Sequence, residues 1–433
     1  MNTSRRHFLA AAAGAGALAA QNVSPNDRVR IALIGAGGQG SGDTRNALSA
    51  GGVELAAVAD IYDGRLKRAR EVWGEQVFTT RDYREVLARK DVDAIFIGTP
   101  DHWHSTIAID AMNAGKDVYC EKPMVQQLAQ GAQMIEAQKR TGRIVQVGSQ
   151  RVSSIVYGKA KEMLAAGAIG ELNMVEAWVD RNSAIGAWQY SIPPDASPAN
   201  IDWDRFLGQA PKVPFEPVRL FRWRNYRDYG TGVPGDLFVH LISGLHFATN
   251  SLGPNRVYAT GGLRFWKDGR DVPDVMIALY DYPTFNVMLR VNLVDGATET
   301  MGLRFIGSEG IMAVDNGVTI SKVPRELEPG YTIDTFPKAL QEQYLKEYRQ
   351  KYPARPKVDT AQMSAEESFV PPKGYSDHFE HVRNFIAAVR SRKPVVEDAV
   401  FGFRAAGPAL LSNISYFEQK VCLWDAETMK LKA

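Results

Sequence analysis

Three side chains in the sequence are of the types that transfer protons. Lys122 follows a short apolar run at 117–120, and Asp236 and His240 are four positions apart, which places them on one face of a helix. Oxidation of a secondary alcohol needs a group that takes the hydroxyl proton as the hydride leaves, and an amine or imidazole within hydrogen-bond reach can do this. A free lysine has a pKa of about 10.4, so Lys122 would need burial or a nearby positive charge to act as a base at neutral pH. We therefore predict a proton-transfer site in which Lys122 and His240 act and Asp236 orients the substrate or the imidazole.

A glycine-rich turn follows the first apolar run of the chain and opens a helical pattern. It reads G-x-G-x-x-G, with Gly35, Gly37 and Gly40 at the defining positions and Gly38 between them. In such a turn the first glycine forms the bend, the second lets the backbone approach a pyrophosphate, and the third allows close packing of helix on strand. The helix N-terminus then offers free N–H groups and a positive dipole to the phosphates. The turn predicts a bound dinucleotide.

The carboxylate of Asp60 indicates which dinucleotide is bound. Asp60 ends the second apolar run, where it can accept hydrogen bonds from both ribose hydroxyls and would repel a 2′-phosphate. We therefore expect NAD as the cofactor, while Arg65 close by leaves NADP open.

Short apolar runs alternate with helical patterns over residues 27–150. The runs are apolar or β-branched throughout, as in strands of a parallel sheet that is covered on both faces. The predicted strands are 29–34, 53–59, 94–98, 117–120 and 144–148, and the clearest predicted helices are 82–89, 105–114 and 126–139. This alternation predicts an α/β Rossmann domain.

The hydrophobic period changes after about residue 170, where longer runs alternate between apolar and polar residues. The predicted strands are 172–179, 256–265, 275–282, 285–294 and 303–314. They predict an α+β domain over 151–433 with a large open, mainly antiparallel sheet, interrupted by insertions at 183–230 and 323–375 and ending in two helices. Because an open sheet of this size usually covers its bare face with a partner, we expect a homo-oligomer.

Two segments, 98–104 and 114–123, are the most specific in the chain. They read G-T-P-D-H-W-H and A-G-K-D-V-Y-C-E-K-P, and D-L-F-V-H follows at 236–240. In this order they resemble the Gfo/Idh/MocA family, named for glucose–fructose oxidoreductase, inositol dehydrogenase and rhizopine catabolism. The resemblance implies that the following residues flank the nicotinamide: Thr99, Pro100, His104, Glu121 and Lys122. It also implies catalytic roles for Lys122, Asp236 and His240, and a carbohydrate or polyol as the substrate.

The insertion at 183–230 supplies candidates for substrate contact. Aromatic faces suit the C–H faces of sugars, and arginine suits hydroxyls or carboxylates. The candidates are Arg222, Trp223, Arg224 and Tyr226. Since the insertion runs directly up to the D-x-x-x-H segment, it is predicted to form a lid or pocket wall. Asp101, His102 and His104 could suggest a metal, but the resemblance explains them as loop residues beside the nicotinamide, so no metal is predicted.

The first 24 residues are predicted to be a twin-arginine signal peptide. S-R-R-H-F-L at 4–9 precedes a short Gly/Ala-rich apolar run and a small-x-small cleavage site. The chain is therefore expected to use the twin-arginine export machinery and to act in the periplasm or otherwise outside the cytoplasm. A net charge of +2 without a basic block gives no support for nucleic-acid binding.

Export limits how the cofactor is used, because no diffusible NAD(P) pool is expected outside the cytoplasm. The cofactor is therefore predicted to be carried bound and recycled on the enzyme, by oxidising one sugar and reducing a second carbonyl compound. The alternative is an NAD-dependent glycoside hydrolase that works by transient oxidation at C3, elimination, hydration and re-reduction. The best-known glycosidases of the family depart from E-K-P at the lysine, so the retained Lys122 favours an oxidoreductase. A third possibility, a sugar-binding protein without turnover, is disfavoured by the retained Lys122, Asp236 and His240.

Overall fold

The computed structural model describes residues 28–296, 298–322, 331–353 and 368–432. The predicted signal peptide at 1–24 lies outside these residues, as do 323–330 and 354–367 of the second predicted insertion, so export stays a prediction. Among the described helices, none is long and apolar enough to cross a membrane.

A six-stranded parallel sheet forms the N-terminal part of the chain, in the order β3-β2-β1-β4-β5-β6. Its strands are β1 Val29–Ile34, β2 Val53–Ala59, β3 Phe78–Thr80, β4 Ala94–Ile97, β5 Asp117–Cys120 and β6 Val145–Val147. Its helices are α1 Gly38–Ser49, α2 Asp63–Trp73, α3 Tyr83–Leu87, α4 Asp101–Asn113 and α5 Leu128–Thr141. The predicted doubly wound Rossmann sheet is confirmed. The strand order reverses between β1 and β4, and in such sheets ligands bind outside the carboxyl ends of the strands at this point.

A ten-stranded sheet follows, in the order β14-β13-β12-β11-β7-β10-β9-β8-β15-β16. Its strands are β7 Leu172–Asp180, β8 Arg256–Gly262, β9 Val275–Asp281, β10 Asn286–Asn292, β11 Thr300–Gly307, β12 Gly310–Val314, β13 Val318–Lys322, β14 Ser368–Phe369, β15 Cys422–Asp425 and β16 Lys430–Leu431. All its pairs are antiparallel except β7 with β10. The predicted large, mainly antiparallel sheet is therefore confirmed.

The prediction of one strand at 303–314 was wrong, because the chain forms the β11–β12 hairpin there. Ser308 and Glu309 make the turn between Gly307 and Gly310. Leu303 and Phe305 on β11 are buried on the same face of the sheet as Met312 and Val314 on β12. The buried positions change from odd to even at the turn, so the alternation shifts by one residue there, and this shift was the signal that the prediction of a single strand missed.

The helices of the second part are α6 Ile155–Ala165, α7 Trp203–Leu207, α8 Pro217–Phe221, α9 Val239–Thr249, α10 Lys338–Lys351, α11 Asp377–Ser391 and α12 Ala399–Glu418. Of these, α6 and α12 pack against the large sheet and α11 packs against the Rossmann sheet, whereas α10 has no buried residue. On β10, Val287, Leu289 and Val291 are buried towards the packed helices. On the other face of the sheet Ile277 and Leu279 are exposed in the described chain. Assembly of copies over this face stays a prediction.

Helix α11 returns from the C-terminal part of the chain to cover one face of the Rossmann sheet. The ring of Phe385 lies 5.5 Å from that of Phe96 on β4 and 5.7 Å from that of Tyr119 on β5. Val382 and Ile386 are buried in the same cluster. The core of the Rossmann sheet is therefore completed by residues far beyond position 150.

Candidate active site

The glycine-rich turn between β1 and α1 is packed so closely that side chains cannot replace two of its glycines. Gly35 has φ +91°, and a Cβ there would lie 2.7 Å from backbone atoms of Gly98 and Thr99. A Cβ at Gly40 would overlap the carbonyl oxygen of Gly35. At Gly37, by contrast, the nearest atoms to a Cβ would be 3.8 Å away. The backbone therefore stays open to a ligand where α1 begins, as a bound pyrophosphate requires.

A cavity of about 520 Å³ runs along the carboxyl ends of the Rossmann strands from this turn. Eleven of the residues predicted from the sequence line it: Gly35, Gly37, Gly38, Asp60, Thr99, Pro100, His104, Glu121, Lys122, Trp223 and Arg224. Five do not: Gly40, Arg222, Tyr226, Asp236 and His240. Gly40 lies beneath the turn, and Asp236 and His240 lie behind Lys122. The cavity volume is within the range of ordinary cofactor and ligand sites.

Asp60 is held rigidly at one end of the cavity. Its Oδ2 accepts hydrogen bonds from the backbone N–H of Ala36 at 2.8 Å and from Arg65 at 3.4 Å. Its Oδ1 accepts from the backbone N–H of Tyr62 at 3.0 Å. A carboxylate that is fixed beside the turn in this way fits the ribose end of a dinucleotide.

The residues 195–206, which we call the covering segment, close the same end of the cavity. They belong to the first predicted insertion and are bound to the Rossmann domain through the backbone: Asp202 N–H donates to Ile61 O at 2.9 Å, and Asp63 N–H donates to Asn200 O at 3.0 Å. The Tyr62 hydroxyl donates to Asp195 at 2.6 Å. Arg205 and Phe206 of the covering segment line the cavity, so the segment forms part of the cavity wall at the end that holds Asp60. A lid over the substrate stays a prediction.

At the opposite end of the cavity, two cations share one oxygen of Asp236. Lys122 Nζ donates to Asp236 Oδ1 and to its backbone oxygen, both at 2.8 Å, and Arg224 Nε donates to the same Oδ1 at 3.0 Å. Burial alone would raise the pKa of Asp236, but Lys122 and Arg224 outweigh burial and hold this pKa far below its ordinary value. Asp236 is therefore ionised at neutral pH.

His240 follows Asp236 by four residues, where a π-helical turn at Pro234–Phe238 leads into α9. Its Nδ1 is buried and has no hydrogen-bond partner within the described part of the chain. Burial, and then the charges of Lys122 and Arg151, hold the pKa of His240 well below its ordinary value. The imidazole of His240 is therefore neutral at neutral pH.

Glu121 is part of a buried pair of carboxyl groups beneath the turn after β5. The side-chain amide of Gln39 donates to Asp43 at 3.1 Å and to Glu121 at 3.4 Å. Burial raises the pKa of Glu121 to about 7, against the opposing charge of Lys122. Burial and the nearby Glu121 raise the pKa of Asp43 as well. The pair connects the glycine-rich turn to the residue that precedes Lys122.

Asp101 is a second buried carboxyl group near this end of the cavity. Its Oδ2 accepts a hydrogen bond from Thr231 at 2.7 Å, whereas Oδ1 is buried without a partner among the residues described. Burial raises the pKa of Asp101 to about 7, although Thr231 and Arg224 act in the opposite direction. The group is therefore protonated below neutral pH.

Replacing Asp101 by Asn is expected to stabilise the protein more at pH 8 than at pH 5. The folded chain holds this proton up to about pH 7, whereas an unfolded aspartic acid releases it at about pH 4. The stability that this proton contributes is therefore lost as the pH rises from about 4 to about 7, and Asn does not ionise. Relative to the unaltered chain, the free energy of unfolding of Asp101→Asn should shift by on the order of 3 kcal/mol in its favour between pH 5 and pH 8.

Denaturant unfolding at the two pH values measures this shift, and Asp204→Asn, which alters an exposed carboxylate on α7, is the matched control. A shift of the same size in both variants, or none in Asp101→Asn, would contradict the buried proton.

Two of the predicted substrate residues pack inside the protein instead of facing the cavity. The guanidinium of Arg222 donates to Tyr190 O at 3.0 Å and to the side chain of Gln189. Tyr226 is buried in an apolar cluster, with the guanidinium of Arg219 4.7 Å from its ring. Their neighbours Trp223 and Arg224 occupy the cavity wall, because the 3₁₀ turn at Trp223–Asn225 points successive side chains in different directions.

Sequence reasoning missed Arg151, whose charge acts on His240. Its Nη1 donates to Asp377 at 3.0 Å, and its Nε is buried without a partner in the described chain. Arg151 comes four residues after β6, at the carboxyl edge of the parallel sheet, and that position was the signal available in the sequence.

His104 lines the cavity but is almost entirely buried. Its ring lies between the backbone oxygens of Pro123 and Thr99, at 2.7 and 2.9 Å. It therefore braces the turns after β4 and β5. Within the described ranges, no group of three or more His, Cys, Asp or Glu side chains could hold a metal ion.

Two consecutive segments of the chain match models of one protein family. Residues 29–149 match the GFO/IDH/MocA oxidoreductase family model with an NAD-binding Rossmann fold, and residues 157–313 match the GFO/IDH/MocA C-terminal domain. Inositol 2-dehydrogenase of Salmonella typhimurium (strain LT2) is 34% identical over 149 residues, which are 34% of this chain and 44% of that protein. Glycosyl hydrolase family 109 protein 1 of Shewanella sp. (strain ANA-3) is 31% identical over 213 residues, 41% of this chain and 46% of that protein. The chain thus spans about half the length of these curated relatives.

Solved structures share the fold over nearly the whole chain. Levoglucosan dehydrogenase in complex with NADH and levoglucosan aligns with a TM-score of 0.63 at 17% identity, covering 91% of this chain and 98% of that one. A probable dehydrogenase from Thermotoga maritima aligns with a TM-score of 0.61 at 17% identity, covering 93% and 100%.

Proposed function

Because the chain belongs to the Gfo/Idh/MocA family through both its NAD-binding Rossmann domain and its C-terminal domain, we propose that it is an NAD(P)-dependent oxidoreductase acting on a sugar, a sugar derivative or a cyclic polyol. The observation that carries this proposal is the position of Lys122. Its amine meets Asp236, from the second domain, at the end of a cavity that begins at the glycine-rich turn.

The residues at this end divide the work of proton transfer. When bound, the nicotinamide supplies the hydride acceptor or donor. Lys122, with Asp236 balancing its charge, donates a hydrogen bond to the reacting oxygen and orients it. We assign His240, which is neutral and whose buried Nδ1 has no hydrogen-bond partner among the described residues, as the group that takes the hydroxyl proton during oxidation and returns it during reduction. From the sequence alone, Lys122 and His240 were both candidates for the base. Here we assign the base to His240.

NAD is the cofactor that Asp60 favours. Its carboxylate is fixed by three hydrogen bonds at the ribose end and would repel a 2′-phosphate. NADP remains the second candidate, because Arg65, Arg81 and Arg84 line the same end. Arg81 and Arg84 are each paired with an aspartate, Asp63 and Asp82.

The cofactor is proposed to stay bound through the catalytic cycle. The covering segment is joined to the Rossmann domain by backbone hydrogen bonds at Ile61 and Asp63 and by the Tyr62–Asp195 hydrogen bond. Release of the adenosine would require these bonds to break. Recycling on the enzyme then follows, by reduction of a second carbonyl compound.

An NAD-dependent glycoside hydrolase is the alternative, and the likeness to a glycosyl hydrolase family 109 protein over 213 residues supports it. Transient oxidation of a glycoside would use the same proton-transfer groups and would leave no net change in the cofactor. The two proposals therefore differ in the products rather than in the site.

Incubation of the purified chain with free sugars and polyols, and separately with aryl glycosides, tests the proposal. For an oxidoreductase we expect reduction of a dye or of a second carbonyl compound, without cleavage of the glycosides. Release of the aglycone without net NADH would instead identify a hydrolase. Binding of sugars with neither reaction would leave the sugar-binding protein as the remaining candidate.

A further inference from the structure

The charges at the substrate end of the cavity do not balance. Lys122 and Arg224 both bond Oδ1 of Asp236, so two cations share one carboxylate. Arg181 also lowers the pKa of Asp236, but it does not line the cavity, so Lys122 and Arg224 are the two cations that a ligand meets there. The two other carboxyl groups nearby, Asp101 and Glu121, are held towards neutrality because burial raises the pKa of each to about 7. The protein therefore presents excess positive charge to whatever occupies this end.

The guanidinium of Arg224 is the part of this charge that faces the cavity. Only its Nε is used, by Asp236, and neither Nη donates to any residue in the described chain. The side chain of Arg224 is 21% exposed and lines the cavity together with Lys122. A guanidinium with both Nη groups free offers two parallel N–H donors, the geometry that binds a carboxylate through both oxygens.

The plane of this guanidinium is fixed before any ligand binds. Its central carbon lies 4.2 Å from the centre of the Trp223 ring, and its Nε donates to Asp236 Oδ1 at 3.0 Å. Cation–π stacking and the ion pair together limit rotation of the side chain. Because the guanidinium is already oriented, it loses little conformational entropy when a ligand binds. This favours a planar carboxylate over a hydroxyl, which can rotate.

From this arrangement, and resting on the function proposed above, we infer that the substrate is a sugar acid whose carboxylate is bound by both Nη groups of Arg224. Because Lys122 and Arg224 touch the same oxygen of Asp236, they lie side by side. A carboxylate on Arg224 would place a hydroxyl on a neighbouring carbon next to Lys122. A single negative charge matches the excess left by two cations on one carboxylate, so we expect a uronate or aldonate in preference to a dianionic sugar phosphate.

Binding of matched acids and amides tests this inference directly. The purified protein with its own bound cofactor is titrated calorimetrically with glucuronate and glucuronamide, with galacturonate and galacturonamide, and with glucose 6-phosphate. The amide keeps the ring and the shape of the acid but removes the charge. We expect at least one acid to bind about 10- to 100-fold more tightly than its amide, because hydrogen bonds to charged groups are worth about this much. Equal affinities in both pairs, or tighter binding of the phosphate, would overturn the inference.

Variants at Arg224 separate specificity from a general structural effect. In Arg224→Gln the ratio of acid to amide affinity should fall towards one, and in Arg224→Lys, which keeps the charge but loses the fork, it should be intermediate. The matched control is Arg222→Gln, two residues away, whose guanidinium is used by Tyr190 O and Gln189. The control should keep the ratio of the unaltered protein. An unchanged ratio of acid to amide affinity in Arg224→Gln would show that a group other than Arg224 binds the carboxylate.

Turnover distinguishes a failure of this inference from a failure of the proposed function. If neutral sugars are oxidised as fast as the acids and bind with the same affinity, the assignment of a carboxylate to Arg224 is wrong but the proposed oxidoreductase activity is supported. If an acid binds through Arg224 but no sugar, polyol or acid is oxidised or reduced, the anion-binding site is supported and the proposed oxidoreductase activity is wrong.

Discussion

Lys122→Ala is expected to lower turnover by about 10²- to 10⁴-fold while the cofactor stays bound. The variant removes the only amine at the substrate end of the described cavity and leaves Asp236 paired with Arg224 alone. Loss of a positioned proton-transfer or hydrogen-bonding group costs rates of this order. The cofactor should remain because the hydrogen bonds of the Lys122 amine go to Asp236 and not to the glycine-rich turn. Steady-state rates with the best substrate, and the NAD(P) content after denaturation, measure the two quantities separately.

Lys159→Ala is the matched control for this variant. Lys159 lies on α6, is partly exposed and pairs with Glu162, so its replacement should preserve both turnover and cofactor content. Full activity in Lys122→Ala would remove the lysine from the mechanism. Loss of the cofactor together with the activity would instead assign Lys122 to binding.

Gly40→Ala is expected to lower the cofactor content of the purified protein to less than about a tenth of that of the unaltered protein. The unaltered protein should release about one NAD(P) per chain when it is denatured. A Cβ at Gly40 would overlap the carbonyl oxygen of Gly35 and lie 2.9 Å from Leu33 Cδ1. Because the carbonyl belongs to the backbone of the turn itself, relief of the overlap must move α1 away from β1. The N–H groups at the start of α1 would then no longer meet the pyrophosphate.

Gly42→Ala, two residues along the same helix, is the control. A Cβ there would have only Arg45 nearby, at 3.8 Å, which is an ordinary contact. Circular dichroism should show that both variants are folded. Full cofactor content in Gly40→Ala would mean that the turn does not hold the pyrophosphate. Release of no nucleotide by the unaltered protein, with no binding of added NAD(P), would contradict the dinucleotide site altogether.

The positions of several site residues could be predicted because they depend on neighbouring residues alone. Gly35 and Gly37 follow a buried strand, and Lys122 follows another, so the carboxyl edge of a parallel sheet must carry all three. The D-x-x-x-H spacing similarly placed Asp236 and His240 close together at the start of α9. The same local logic failed at Arg222 and Tyr226, because the direction of a side chain in an irregular turn is not set by its sequence spacing.

What the sequence determined by itself was the order of the two sheets, the glycine-rich turn and the chemical types of residue at the edge of the first sheet. These features follow from hydrophobic periods and short spacings, which act over a few residues. Only the tertiary structure decided that Lys122 and Arg224 share one oxygen of Asp236, and that the covering segment closes over Asp60. Lys122 and Asp236 are 114 positions apart, and packing of the second domain on the edge of the first brings them together. The balance of charge at the site depends on that packing, and no local pattern encodes it.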